Sequence, residues 1–176
     1  MKTERTLLRN FESGDLPDLF EYCSQPGVGE AAGWKHHTSL KETRQTLQTY
    51  LENKDVFAIV YKPENKVIGH IAIHPDSETH LADVKELGFV LNRAYQNRGI
   101  MSEVIRVVLG YLFNNGISRV YACCFQENLP SKHLIEKSGF ILEQEGTFFS
   151  STLNQTFLSF EYVYTRERWQ GNDQTG

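Results

Sequence analysis

The spacing of apolar positions changes several times along the chain, and each change predicts a new element. Residues 4–11 (ERTLLRNF) read as a first strand. In SGDLPDLFEYC, Leu16, Leu19, Phe20 and Cys23 share one helical face, with Asp15 placed to cap its start. QPGVGEAAG is glycine-rich and irregular. Ser39 and Glu42 then form a capping box for a helix to about Glu52, with Leu40, Thr43, Leu47, Tyr50 and Leu51 as its buried stripe. VFAIVY (56–61) and KVIGHIAIH (66–74) flank a short PEN loop and predict a hairpin. DSETHLAD is a polar connection to a further strand, VKELGFVLN (84–92).

IMSEVIRVVLGYLF (100–113) places Ile100, Val104, Val107, Val108, Tyr111 and Leu112 at helical spacing, and Asn115-Gly116 ends it. ISRVYACCF (117–125) is a strand and LPSKHLIEK (129–137) a short helix stopped by Ser138-Gly139. FILEQEGTFF and TFLSFEYVYT supply two last strands, and the residues from 170 to 176 read as a disordered tail. The order βααβββαβαββ describes an α/β (α+β) domain over residues 1–169. Its sheet has about seven strands, is mixed and mostly antiparallel, and is flanked by about four helices. Residues 84–125 should form a parallel crossover within it.

Composition narrows the function. The 176 residues suit one domain, and a net charge of −4 argues against a nucleic-acid surface. No apolar run is long enough to span a bilayer, and MKTERTLLRN has no apolar leader segment, so a cytoplasmic chain is expected. Three cysteines give no disulfide framework, and Cys123 and Cys124 read as small buried residues pointing to opposite strand faces. His70 and His74 share a strand face but lack a third ligand, so no metal is expected.

The chemistry is concentrated in YQNRGIMSEV (95–104), where a strand runs through a glycine turn into a helix. The first helical N–H groups have no partner inside the helix, and the helix dipole adds positive charge at the same end. Together they bind phosphate. Gly99 allows close approach and positive φ, while Gln96, Asn97, Arg98 and Ser102 offer further donors.

On these residues the chain resembles the GNAT acyltransferase superfamily. Gln96, Gly99 and, imperfectly, Met101 match its acyl-CoA motif Gln/Arg-x-x-Gly-x-Gly/Ala. ELGF (86–89), Tyr95 and Ser102-Glu103 are similar to the RimJ/RimL-like ribosomal-protein N-terminal acetyltransferases. Asn128, Ser131, Lys137, Gly139 and Phe140 match a downstream signature of the same group. Met101 stands where the family has Gly or Ala. Its side chain must turn into the core if the turn is to hold a phosphate.

The resemblance implies transfer of an acetyl group from acetyl-CoA to a primary amine. The turn with Ile100 and Met101 would hold the cofactor phosphates, Asn128 the pantetheine, and the backbone of Phe89, Val90 and Leu91 the acyl end and its oxyanion. That arrangement needs a splay between residues 84–92 and 117–125. Glu86 is the candidate base, through water; the plainer role for it is an ion pair with Lys85 or another cation. Ile135 stands where many members have a tyrosine that protonates the thiolate. Ser131 is then the substitute, unless it only caps a helix.

Glu30, Trp34, His36 and His37 of the loop 25–38, with a hairpin near residues 148–156, are the expected acceptor wall. The acceptor is a protein N-terminal α-amine or a small-molecule amine such as an amino sugar, a polyamine or an antibiotic. A CoA-binding protein without catalysis is the non-enzyme reading. No nucleic-acid or membrane partner is expected, and the resemblance allows a homodimer.

Overall fold

The computed structural model describes residues 1–76 and 80–173. Residues 77–79 of the predicted polar connection and 174–176 of the predicted tail lie outside the described residues. The strands are β1 (Thr6–Asn10), β2 (Val56–Tyr61), β3 (Lys66–Pro75), β4 (Val84–Leu91), β5 (Arg119–Phe125), β6 (Ile141–Ser150) and β7 (Gln155–Thr165). The helices are α1 (Leu16–Cys23), α2 (Leu40–Glu52), α3 (Ile100–Asn114), α4 (Leu129–Lys137) and α5 (Arg166–Asp173). The strands form one sheet in the order β1-β2-β3-β4-β5-β7-β6. Only β4 and β5 pair in parallel, as the α3 crossover requires; the other pairs are antiparallel.

Alternation along the strands splits the core into two layers. Ile59, Ile68, Ile71, Leu87, Val120 and Ala122 pack with α3 and with Ile135 of α4. Ala58, Val60, Val67, Ala72 and Val90 face the other way, against Leu19, Tyr22 and Cys23 of α1 and Leu47 of α2. A fully buried Leu or Ile contributes about 1.5–3 kcal/mol, so these two layers carry most of the fold.

Several local expectations need correction. Asp15 sits at the α1 start but does not cap it; its carboxylate accepts the Glu12 N–H at 2.8 Å and pairs with Arg9 at 2.7 Å. Ser39 caps α2 as expected, accepting the Glu42 N–H at 3.3 Å, while Glu42 turns back to the Thr38 N–H at 2.7 Å. Leu40 and Tyr111, assigned to buried stripes, are 49% and 48% exposed because each points away from the sheet.

The helix α5 occupies the start of the expected tail. Its Trp169 packs on Phe113 and Tyr164, and Arg166 donates to the Ile117 carbonyl at 2.8 and 2.5 Å. Among the described residues no helix is long and apolar enough to cross a membrane.

Candidate active site

The β4–β5 ladder runs only from Val84–Leu87 against Arg119–Ala122. Both strands continue, to Leu91 and Phe125, so they separate beyond that point. The far half of β4 therefore turns main-chain groups into the gap without a strand partner on that side. A cleft of about 1160 Å³ opens there, and Phe89, Val90 and Leu91 line it.

On one side of the cleft lies the turn from β4 into α3. Asn97 has φ 59° and Gly99 φ 75°, both left-handed. The tight path aims the chain so that α3 starts at Ile100 with Gly99 as its N-cap, and no side chain caps it. The N–H groups of the first turn are left for an outside acceptor, here at a helix of 15 residues. Gln96, Asn97, Gly99, Ile100, Met101 and Ser102 all border the cleft.

Met101 is buried with the α3 core residues, so its side chain leaves the turn open. The Gln96 amide donates to the Leu91 carbonyl at 2.8 Å and braces the turn. Arg98 does not line the cleft; its guanidinium lies 5.4 Å from the Tyr95 ring centroid. This uncapped N-terminus, left-handed turn and open strand edge fit a pyrophosphate and an extended pantetheine arm.

α4 closes the same side. Asn128, and not Ser131, is its N-cap: the Asn128 Oδ1 accepts the Ser131 N–H at 3.2 Å. Ser131 borders the cleft, which removes the helix-cap reading of its hydroxyl. The Asn128 amide donates to the Ala31 carbonyl at 3.1 Å. Ile135 is fully buried in the core.

The opposite side is a sheet face. His74 stands opposite Glu86, Glu86 beside Tyr121, and Cys123 opposite Glu161. Residues paired this way project to one face, so four strands contribute to a single floor. His74, Asp76, Glu86 and Glu161 are its charged members in the cleft. Among the described residues Glu86 and Glu161 make no ion pair, which removes the proposed Glu86–Lys85 pairing.

Burial raises the Glu86 pKa, and Asp76 and Glu161 raise it further, against His74 and a Cys123 hydrogen bond. Desolvation, with Glu86 and Glu161 beside it, pushes the Cys123 thiol up. Cys123 is exposed, contrary to expectation, because the splay uncovers its face; Cys23 and Cys124 are buried.

His70 is buried and hydrogen-bonded to the Tyr22 hydroxyl at 3.0 Å, and burial pushes its pKa down to about 4. Its ring is neutral and committed to Tyr22. Among the described residues no cluster of three or more metal-ligating side chains occurs.

The loop 25–38 does border the cleft, but through Gly27, Val28, Ala31 and Ala32. The residues singled out from the sequence hold the loop together instead. Glu30 accepts the Gly27 N–H at 2.6 Å, the His36 N–H at 3.1 Å and the His36 ring Nδ1 at 2.7 Å. Against the cost of partial burial, these bonds hold the Glu30 pKa down at about 2. His37 bonds Thr43 at 2.8 Å, and Trp34 packs with the α1–α2 layer.

His74, Asp76, Tyr121, Phe125, Phe148 and Glu161 were missed as individual site residues. Strand alternation assigns each strand residue a face, but only the strand order shows that these faces coincide and open on the cleft.

Residues 5–141 match the family model described as an acetyltransferase (GNAT) domain. The chain is 29% identical over 176 residues to the uncharacterized N-acetyltransferase YnaD of Bacillus subtilis, covering 95% of this chain and 97% of YnaD. The crystal structure of an acetyltransferase (GNAT family) from Bacillus anthracis superposes with a TM-score of 0.82 at 28% identity, over 95% and 98% of the two chains. A ribosomal-protein-S5-alanine acetyltransferase from Vibrio fischeri shares the fold at a TM-score of 0.73 and 20% identity, over 96% and 97%. The chain belongs to the GNAT acetyltransferase family and is an acetyl-CoA-dependent N-acetyltransferase.

Proposed function

We propose that the acceptor is a cationic primary amine held on the floor formed by β3, β4, β5 and β7, with Glu86 as the base. One observation carries this reading: the charges of the cleft are segregated. The helix N-terminus and the left-handed turn lie on one side. The floor opposite carries Asp76, Glu86 and Glu161 and no lysine or arginine from the sheet. An anion is drawn to the first side and an ammonium to the second.

Acetyl-CoA supplies an activated acetyl thioester. Main-chain donors after Asn97 hold its phosphates, and an N–H group of Phe89–Leu91 that faces the gap and not β3 can donate to the acetyl carbonyl oxygen as negative charge develops on it. An amine attacks only when neutral, and an α-amine with pKa about 7.7–8 needs less help than a lysine at about 10.4. Glu86, kept partly dry and with a raised pKa, takes that proton through a water. Ser131 can give a hydrogen bond to the departing thiolate.

Peptide N-termini are the first acceptors to test. Polyamines are the second, favoured by the row of carboxylates on the floor. Acetyl-CoA at 100 times its Kd should stabilise the protein by about 2.7 kcal/mol, seen as a thermal shift. Thiol release with an alanine-initiated peptide and with spermine then identifies the acceptor class. A folded sample that millimolar acetyl-CoA does not stabilise would overturn the reading.

A further inference from the structure

The loop between α1 and α2 bridges the cleft, and one amide ties its near end to the cofactor turn. The Gln25 Nε2 donates to the Asn92 Oδ1 at 3.1 Å, and the Gln25 Oε1 accepts the Arg93 N–H at 3.1 Å. Both polar groups of the side chain are used, and both partners lie directly after β4. We propose that Gln25 is a positioning residue that sets the acceptor-side wall against the cofactor turn and so controls acceptor binding. This rests on the function proposed above.

Asn92 is a rigid anchor for that tie. It is fully buried, its N–H donates to the Ile68 carbonyl at 2.7 Å, and its amide donates to Glu21 at 2.8 Å. Its Oδ1 also accepts the Ala94 N–H at 3.0 Å, which shapes the start of the turn. Gln25 therefore docks on a group that is held without it. The loop then runs under Arg93, whose guanidinium donates to the Pro26 carbonyl. Gly27 has φ 86°, a left-handed conformation that strains any side chain, and a Cβ there would lie 2.7 Å from Arg93 Nη2.

Directly after this anchored start come Gly27, Val28, Ala31 and Ala32, which border the cleft. Their far end is held from other walls. Asn128 binds the Ala31 carbonyl, and Ser150 donates to the Gly33 carbonyl at 2.7 Å. Loss of the Gln25 amide leaves the near end on the Arg93–Pro26 bond alone and loosens it, while the far ties and Asn92's own bonds remain. Acceptor binding then suffers, and the phosphate turn keeps its shape.

The test is Gln25→Leu, similar in length but unable to make either bond. Its melting temperature should stay within about 2–4 °C of wild type, as for the loss of a half-exposed contact. Calorimetry with acetyl-CoA should give an unchanged Kd. With the alanine-initiated peptide or spermine as acceptor, KM should rise about tenfold at little changed kcat, the signature of lost binding in both ground and transition states.

Hydrogen exchange of the amides of residues 27–33 should accelerate in the variant. An unchanged KM, or an acetyl-CoA Kd that weakens in step with it, overturns the proposal. If wild type acetylates neither probe, the function reading fails separately. Exchange then decides alone: acceleration confined to 27–33 supports the positioning role, and unchanged exchange refutes it.

Discussion

The two walls of the cleft are built by opposite means. The side of the cleft assigned to the cofactor is mostly one stretch of chain, from Phe89 to Ser102, and its bracing bonds are local. The Ala94 N–H reaches Asn92 two residues back, and Gln96 reaches Leu91 five back. The acceptor wall gathers pieces of a loop and of β3, β5, β6 and β7. Its bonds span 67 residues from Gln25 to Asn92, 97 from Asn128 to Ala31 and 117 from Ser150 to Gly33. A main-chain phosphate cradle needs only a turn and a helix start. Recognition of a particular amine needs side chains brought from far apart.

Four substitutions test this contrast. The largest effect belongs to the floor, at the point where both walls meet. Glu86→Gln should lower kcat by roughly 10² to 10⁴ if this carboxylate is the base. Because the base acts ionised and burial raises its pKa, kcat/KM in wild type should climb with pH through a limb above the ordinary carboxylate range. That limb should vanish in the variant. A loss of less than about tenfold would hand the proton to another group.

Gly99→Ala isolates the cofactor wall. A side chain at φ 75° costs about 1–2 kcal/mol. The acetyl-CoA Kd, measured by calorimetry, should weaken about tenfold, the equivalent of 1.4 kcal/mol, with acceptor KM unaffected. Equal weakening of both substrates would show that the two walls are not independent.

Ser131→Ala asks whether α4 does more than close the cleft. Loss of one hydrogen bond to a thiolate still only partly charged should reduce kcat by roughly two- to tenfold, since such a bond contributes about 0.5–1.5 kcal/mol net. Turnover equal to wild type at equal stability would leave Ser131 as a wall residue only. The smallest effect is expected at Ser150→Ala, which removes the tie to Gly33 from the hairpin side. Its cost of about 1 kcal/mol should lower the melting temperature by roughly 2–4 °C for a chain of this size.

Much was legible from local pattern. β2 and α4 begin and end at the expected residues, and β3, β4 and α3 differ from expectation by one residue at one end. These elements have strong alternation or helical spacing and clear stop residues. The turn at Gly99 was legible too, because a positive φ before a helix selects glycine.

The side chains that line the floor of the cleft were not legible in the same way. Glu30, His36 and His37 have the right chemistry for a substrate wall, but their polar atoms are consumed inside the loop and against α2. Glu161, by contrast, looks like any strand carboxylate until β7 is set beside β5 and Cys123.

By itself, then, the sequence determined the succession of elements up to β7, the glycine turn before α3 and the family, since all three depend on contacts within a few residues. Only the tertiary structure decided three further things. It ended the β4–β5 ladder at Leu87, folded α5 around Trp169, and turned four strands' side chains onto one floor. Each depends on which distant segments share an edge or a face, and a periodic pattern carries no record of its neighbour.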